Sequence, residues 1–294
     1  MKASRIKKGI KNRMTKAWTK TIHLHQTIKS ITERDKYVLA YWSCGPNTST
    51  NWGDAINPLV INHYSQKRAL HIANVLNLIN LPVYTVIGSV LDNIRYKNLI
   101  IWGSGFKRSD SRLRVPPKDI RLVRGPLSRK LIVNSGYKCP ENYGDPGLLF
   151  PQLYFPKISK QYKLGIIPHY VDYSSAVMQK LRTNKDVNVI DVMSGVYNVV
   201  DEALKCEFIA SSSLHGLILA DAYGISNVWI KLSNNISGGN FKFYDYYLSK
   251  KHEHSGPVEG ENCLNTNRLI KQSAIYDVYV TNIIDSCPFL YKNS

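Results

Sequence analysis

Three consecutive serines, Ser211, Ser212 and Ser213, lead out of the apolar run Phe208-Ile209-Ala210 into Leu214-His215-Gly216 and a second apolar stretch that ends at Gly224. A strand that passes through hydroxyl-bearing residues into a helix makes an anion site, because hydroxyls and unbonded amides at the helix start face negative charge. His215 falls in the first helical turn, where a helix N-terminus favours the neutral imidazole, available as a base or hydrogen-bond donor. Gly216 beside it permits close packing or ligand approach. The competing reading is a buried core histidine. His169 ends the run Ile166-Ile167-Pro168 and is expected at the same end of its strand, a second candidate for proton transfer.

Three further junctions are polar in a way that packing does not require. Asn51-Trp52-Gly53-Asp54-Ala55-Ile56-Asn57 follows the first apolar run; Gly53 allows backbone to approach a ligand, Asp54 can cap a helix, and Asn57 falls on the same side one turn later. An ordinary capped turn accounts for Asp54 equally well. Trp102-Gly103-Ser104-Gly105 can turn amides toward an anion, although a lone Gly-x-Gly is also simply a tight turn. In Val123-Arg124-Gly125-Pro126 an arginine closes a strand directly before a helix, where its fork can hold a phosphate or carboxylate with two bonds.

These loops need a scaffold that brings strand ends together. Apolar runs at Tyr37–Trp42, Val83–Ile87, Leu99–Trp102 and Ile120–Val123 alternate with helical patterns at Asp54–Gln66 and Pro126–Val133. The alternation repeats after a Pro- and Lys-bearing segment, Phe150–Lys163: strands at Leu164–Pro168, Val187–Val192, Glu207–Ala210 and Asn227–Leu232, helices at Ser174–Leu181, Val196–Leu204 and Leu214–Tyr223. Such spacing predicts an α/β protein with two Rossmann-like lobes of parallel sheet, residues 37–157 and 158–294, and a cleft beyond the strand ends where ligands bind. A basic helical arm, residues 1–36, precedes them.

The chain has 294 residues and a formal net charge of +18, from 39 Lys and Arg against 21 Asp and Glu. Eleven of those cations and only two acids lie in residues 1–36, a net of +9. There Ile6, Ile10, Met14, Ala17, Trp18 and Ile22 recur at helical spacing, the pattern of an amphipathic helix that lies on an anionic membrane or caps the domain. No continuous apolar segment of a secretory signal follows the basic start. The uncharged stretch Ala69–Leu91 carries His71, three asparagines and Pro82, so it is expected as core and not as a membrane span. Five widely spaced cysteines without a Cys-x-x-Cys pair give neither a disulfide framework nor a zinc site, and a reducing cytoplasm fits them. No zinc finger, ribonucleoprotein motif or helix-turn-helix spacing supports nucleic acid as the partner of the positive charge. Gly-x-Ser-x-Gly and the phosphate-loop pattern are both absent.

In order and spacing, Asn51-Trp-Gly-Asp-x-x-Asn57, Trp102-Gly-Ser-Gly105, Val123-Arg-Gly-Pro-Leu-Ser128, Tyr143-Gly-Asp-Pro146 and Ser212-Ser-Leu-His-Gly216 resemble the polysaccharide pyruvyl transferase family over about Val38 to Ile230. The resemblance implies a GT-B-like two-lobed enzyme that takes pyruvate from phosphoenolpyruvate and places it as a ketal on two hydroxyls of a sugar, in an exopolysaccharide or capsule or in its lipid-linked precursor. It implies phosphoenolpyruvate as co-substrate with no other cofactor and no metal. The arm, residues 1–36, lies outside the resemblance; its own basic amphipathic pattern is what would seat a cytoplasmic enzyme peripherally on the inner face of the plasma membrane. His215 and His169 become the candidates that donate and accept protons. Arg124, Ser212, Ser213, Gly216, Ser104 and Gly105 become donor-binding candidates, and Asn51, Asp54 and Asn57 acceptor-binding candidates. Family members often have Arg directly before Leu-His; Ser213 stands there in this chain, with Arg121, Lys231 or the serine hydroxyls left to supply the anion contact. Two other classes compete: a glycosyltransferase of the same architecture with a nucleotide-sugar donor, and a non-catalytic protein that binds acidic glycan or membrane through its arm.

Overall fold

The computed structural model describes residues 23–45, 48–76 and 78–290. The first 22 residues of the expected basic arm therefore lie outside the described residues. The remainder of the arm contains a helix, α1, over residues 23–32. Its buried Thr27 and Ser30 face the protein, and the Thr27 hydroxyl accepts a hydrogen bond from the Leu76 amide at 2.9 Å.

Two five-stranded sheets follow, every pairing parallel. In the first, β1 (Tyr37–Ala40), β2 (Arg68–His71), β3 (Val83–Thr85), β4 (Leu99–Trp102) and β5 (Pro117–Leu122) lie in the order β2-β1-β3-β4-β5. In the second, β6 (Tyr162–Ile167), β7 (Val187–Val189), β8 (Cys206–Ser211), β9 (Ser226–Lys231) and β10 (Val258–Glu259) lie in the order β10-β9-β8-β6-β7. This is the expected two-lobed α/β architecture. The central strands are buried on both faces, as in β4 with Leu99, Ile100, Ile101 and Trp102, because helices cover a parallel sheet on each side.

The helices differ from the sequence reading in instructive ways. Asp54–Gln66 is two helices, α2 (Trp52–Ala55) and α3 (Asn57–Ser65), with Pro58 in the first turn of α3, where its missing amide costs no bond. The following elements are α4 (Pro126–Asn134), α5 (Ala176–Leu181), α6 (Val196–Leu204) and α7 (Leu214–Ala222). Beyond β9 lie α8 (Phe241–Ser249), α9 (Thr266–Gln272) and α10 (Val280–Asp285). No described helix is long and apolar enough to cross a membrane.

The lobes share one apolar core. Val38, Trp52, Ile61 and Trp102 of the first sheet and its helices belong to the same buried cluster as Ile167, Ile209, Leu217 and Trp229 of the second. The chain also returns to where it started: the Trp102 indole donates to the Ile283 carbonyl of α10 at 3.0 Å, and the Phe289 ring lies 4.7 Å from that of Tyr84. Helix α8 bridges the two halves, stacking Phe243 on Trp229 and sending Asp245 to the start of α4.

Candidate active site

Short helix α2 begins at Asn51, whose side chain accepts from the Gly53 amide as an N-cap. The same oxygen, Oδ1, lies 2.7 Å from Nδ1 of His215 at the start of α7, so the cap of a first-lobe helix is bonded to a second-lobe side chain. An oxygen that already accepts from a backbone amide must accept from the imidazole as well. Nδ1 therefore carries the proton, and Nε2 keeps its lone pair. Gly53 makes the approach possible: a Cβ there would sit 2.2 Å from the His215 ring.

His169, in the loop after β6, has the opposite tautomer. Its Nδ1 accepts from the Val171 amide at 3.4 Å, which leaves the proton on Nε2. Its own amide is held by the Ser212 hydroxyl at 2.9 Å. One imidazole thus offers a base and the other a donor, each fixed from behind.

Both histidines line an open cleft together with Asn51, Asp54, Ser213 and Leu214, and with Ser43, Thr48, Ser89, Asn93, Tyr170 and Ser237. The cleft has a volume of about 130 Å³. Its charge comes from Lys107, in the loop after β4, and Lys242, the second residue of α8. Neither lysine was legible as a site residue in the sequence. The amides of Leu214 and His215, at the start of α7, have no carbonyl of their own helix to bond and add to the positive end.

Burial and this charge shift His215, His169, Asp54 and Lys242. Burial pushes the imidazole of His215 down to about 3, with Lys242, His169 and Arg124 adding to the effect. It pushes His169 down to about 3 also, with Lys242 and Lys107 in support. Both are neutral at physiological pH. Burial raises Asp54 to about 7 against the pull of Lys242 and Lys107, and lowers Lys242 to about 7 against the pull of Asp54. The carboxyl of Asp54 is only 6% exposed, and this burial is what holds its proton on up to about pH 7.

Other sequence candidates lie behind the cleft wall. Arg124 is fully buried: its Nε donates to Asp245 at 3.1 Å, Nη2 to the Phe106 carbonyl at 2.6 Å and Nη1 to the Ser89 hydroxyl at 2.5 Å. Only Ser89, of these partners, reaches the cleft. Ser128 completes the group, donating its amide and hydroxyl to Asp245 at 2.8 and 2.6 Å. A Cβ on Gly125 would meet the Asp245 carbonyl oxygen at 1.9 Å, so the Arg-Gly-Pro turn is the seat of α8. Ser104 bonds Thr85 at 2.8 Å, Gly105 donates to the Gly88 carbonyl at 3.0 Å, and Gly216 packs against Ser211 and Ile167. Asn57 ties α2 to the strand-end loop, donating to the Asp54 carbonyl at 3.1 Å and accepting from the Ile87 amide at 3.0 Å. Arg121 is exposed and paired with Asp119, and Lys231 is paired with Glu259, so neither lines the cleft. Among the described residues no group of three or more His, Cys, Asp or Glu is placed to hold a metal ion.

The chain is 31% identical over 176 residues to an uncharacterized protein of Acanthamoeba polyphaga mimivirus, a match that takes in 56% of this chain and 59% of the relative. It is 27% identical over 217 residues, 70% of this chain, to 62% of the succinoglycan biosynthesis protein ExoV of Rhizobium meliloti (strain 1021). It thus spans about three fifths of the length of each of these curated relatives. The polysaccharide pyruvyl transferase profile matches residues 62–234, from α3 to just beyond β9, and takes in Lys107, Arg124, His169 and His215. On that match, which covers more than half of the chain, the chain belongs to the polysaccharide pyruvyl transferase family.

Proposed function

We propose that the chain transfers the pyruvyl group of phosphoenolpyruvate to two hydroxyls of a sugar in a surface polysaccharide or its lipid-linked precursor, forming a ketal. The observation that carries this reading is the Asn51–His215 bond, which sets a neutral imidazole in a cleft that also holds two lysines, a second neutral imidazole and a carboxyl raised to about 7. The donor is small and has three negative charges when fully ionised. A cleft of about 130 Å³ suits it better than a nucleotide sugar, since pockets for drug-sized ligands run to roughly 300–1,000 Å³.

In this reading Lys107, Lys242 and the α7 amides take the phosphate and carboxylate, in the place that the missing arginine at Ser213 would serve. His169 donates Nε2–H to the donor carboxylate. Asp54, given above as an acceptor-binding candidate, protonates the methylene carbon: its O–H bond breaks, the double-bond electrons form the new C–H bond, and the adjacent carbon becomes electrophilic. A sugar hydroxyl attacks that carbon and passes its proton to Nε2 of His215. Phosphate then leaves with the electrons of its C–O bond and takes the proton from His215. The second hydroxyl closes the ketal, its proton restoring Asp54. Well-placed acids and bases each contribute roughly 10²- to 10⁴-fold, and the fixed cations contribute by meeting charge without reorganising.

Incubation of the protein with phosphoenolpyruvate and a panel of methyl hexopyranosides, followed by mass spectrometry and NMR of the products, tests the reading. A pyruvyl ketal and stoichiometric phosphate are expected, with His215→Ala inactive. Turnover of a nucleotide sugar in place of phosphoenolpyruvate, or full activity of His215→Ala, overturns it.

A further inference from the structure

Ser89 stands between the buried guanidinium of Arg124 and the cleft. Its hydroxyl oxygen accepts from Nη1 of Arg124 at 2.5 Å, and the same residue lines the cleft together with Asn93, Lys107 and Lys242. A hydroxyl has one hydrogen and two lone pairs. With a lone pair turned to the guanidinium, the hydrogen is left to point elsewhere, and among the described residues it is donated to no protein group.

Both partners of this bond are held from behind. Ser89 and Gly105 form a parallel β-bridge, in which the Gly105 amide donates to the Gly88 carbonyl at 3.0 Å and the Leu91 amide to the Gly105 carbonyl at 3.3 Å. Gly105 also leaves room for the guanidinium, since a Cβ there would lie 2.6 Å from Cζ of Arg124. On the other side of the guanidinium, Asp245 holds Nε at 3.1 Å and Nη2 at 2.9 Å, and its own charge is met by the amide and hydroxyl of Ser128 in the first turn of α4. The negative end of the ion pair thus rests on a helix N-terminus whose residues do not line the cleft, while Nη1 presents the positive end to Ser89. The field of Arg124 is felt in the cleft, where it helps to lower His215 and Lys242. A hydroxyl bonded to a guanidinium is a stronger donor than a free one, because hydrogen bonds in series polarise one another.

We infer that Ser89 donates its hydroxyl hydrogen to an anionic oxygen of the bound donor, and that Arg124 acts on the donor through Ser89, as a positioning residue. The junctions Trp102-Gly-Ser-Gly105 and Val123-Arg-Gly-Pro126 then serve one and the same hydroxyl. This rests on the reading of the cleft as the site of a small donor that carries phosphate and carboxylate, and it needs none of the proton transfers proposed there.

Calorimetric titration of the full chain with phosphoenolpyruvate and with inorganic phosphate tests it. Ser89→Ala is expected to bind phosphoenolpyruvate about ten- to a hundredfold more weakly, as for the loss of one hydrogen bond to a charged group. Ser89→Thr keeps the hydroxyl and should recover most of the affinity. An equal loss for inorganic phosphate puts the bond on the phosphoryl group, and a loss confined to phosphoenolpyruvate puts it on the carboxylate; either supports the inference. Because Ser89→Ala also takes the acceptor from Nη1, its folding is followed by urea denaturation and the relay by NMR of the arginine side chains. The Arg124 signals should shift when phosphoenolpyruvate saturates the parent, and not when it saturates Ser89→Ala. Three results overturn the inference alone: unchanged affinity in Ser89→Ala, the same loss in Ser89→Ala and Ser89→Thr, or Arg124 signals that do not respond in a parent that binds. A parent that binds neither anion overturns the reading of the cleft along with it.

Discussion

The carbonyl oxygen of the Asn51 side chain lies 2.7 Å from Nδ1 of His215 and accepts at the same time from the Gly53 amide. One atom therefore fixes both the start of a first-lobe helix and the tautomer of a second-lobe imidazole. The geometry has the logic of an orienting group behind a base, with an amide where other enzymes use a carboxylate.

Asn51→Ala removes that orientation and leaves the ring free to hold its proton on either nitrogen. The expected result is a fall in kcat of about tenfold or more, matching the loss of one hydrogen bond worth about 1.4 kcal/mol. Imidazole nitrogen NMR checks the cause, since His215 should shift from a single tautomer to a mixture. A single unchanged tautomer with full activity would show that Asn51 only caps its helix.

Asp54→Asn tests the proton donor. It is expected to lower kcat by roughly 10²- to 10⁴-fold with KM for phosphoenolpyruvate little changed, while Asp54→Glu restores part of the rate. In the parent, kcat/KM should fall as pH rises through about 7, where Asp54 loses its proton in the empty cleft. Bound donor anion raises that value, so the same limb in kcat should lie at higher pH.

In the proposed reaction Lys242 acts on binding. Its ammonium, held down to about 7 by burial and by Arg124 and Lys107, is charged below that pH and neutral above it. Affinity for phosphoenolpyruvate should therefore weaken as pH rises from 6 to 8, and binding near pH 7.5 should take up a proton. Calorimetry in two buffers of different ionisation enthalpy measures both. In Lys242→Met the affinity should be low at every pH and the proton uptake reduced to the part that Asp54 contributes.

Arg124 and Asp245 form an ion pair at 2.9 Å with neither side chain exposed. Arg124→Ala leaves the carboxylate buried without its partner, and a loss of about 3–5 kcal/mol is expected by chemical denaturation. Arg124→Lys should recover little of it, because an ammonium does not reproduce the guanidinium's bonds to Asp245, Ser89 and the Phe106 carbonyl.

The strand that proved easiest to read, β4, is an uninterrupted apolar run closed by a polar junction. That is what a strand buried on both faces demands of its sequence. β2 escaped notice because it is an edge strand that starts on exposed Arg68 and ends on His71, with no alternation to mark it. The histidines were visible from their places at strand and helix ends. Lys107 and Lys242 were not, since a lysine gains its role here from folding that carries α8 across to the first lobe, and the chain holds 39 Lys and Arg to choose from. A usable signal did exist for α8 itself: Asp245 between Phe243 and the pair Tyr246-Tyr247 is an acid on an aromatic helix face, and such an acid needs a buried cation. Arg124 drew attention correctly as an unusual arginine, but position along a strand does not reveal which way a long side chain turns.

The single apolar core that runs through both sheets has a mechanical corollary. Many two-lobed enzymes trap their substrates by swinging about a hinge, which requires the halves to part without exposing much buried surface. Here parting the halves would uncover Trp52, Leu217 and their neighbours and tear α10 from Trp102. Substrate entry is thus left to the loops around the cleft. Solution scattering should show the same radius of gyration with and without phosphoenolpyruvate, with the Asn51–His215 bond across the lobes in place before anything binds.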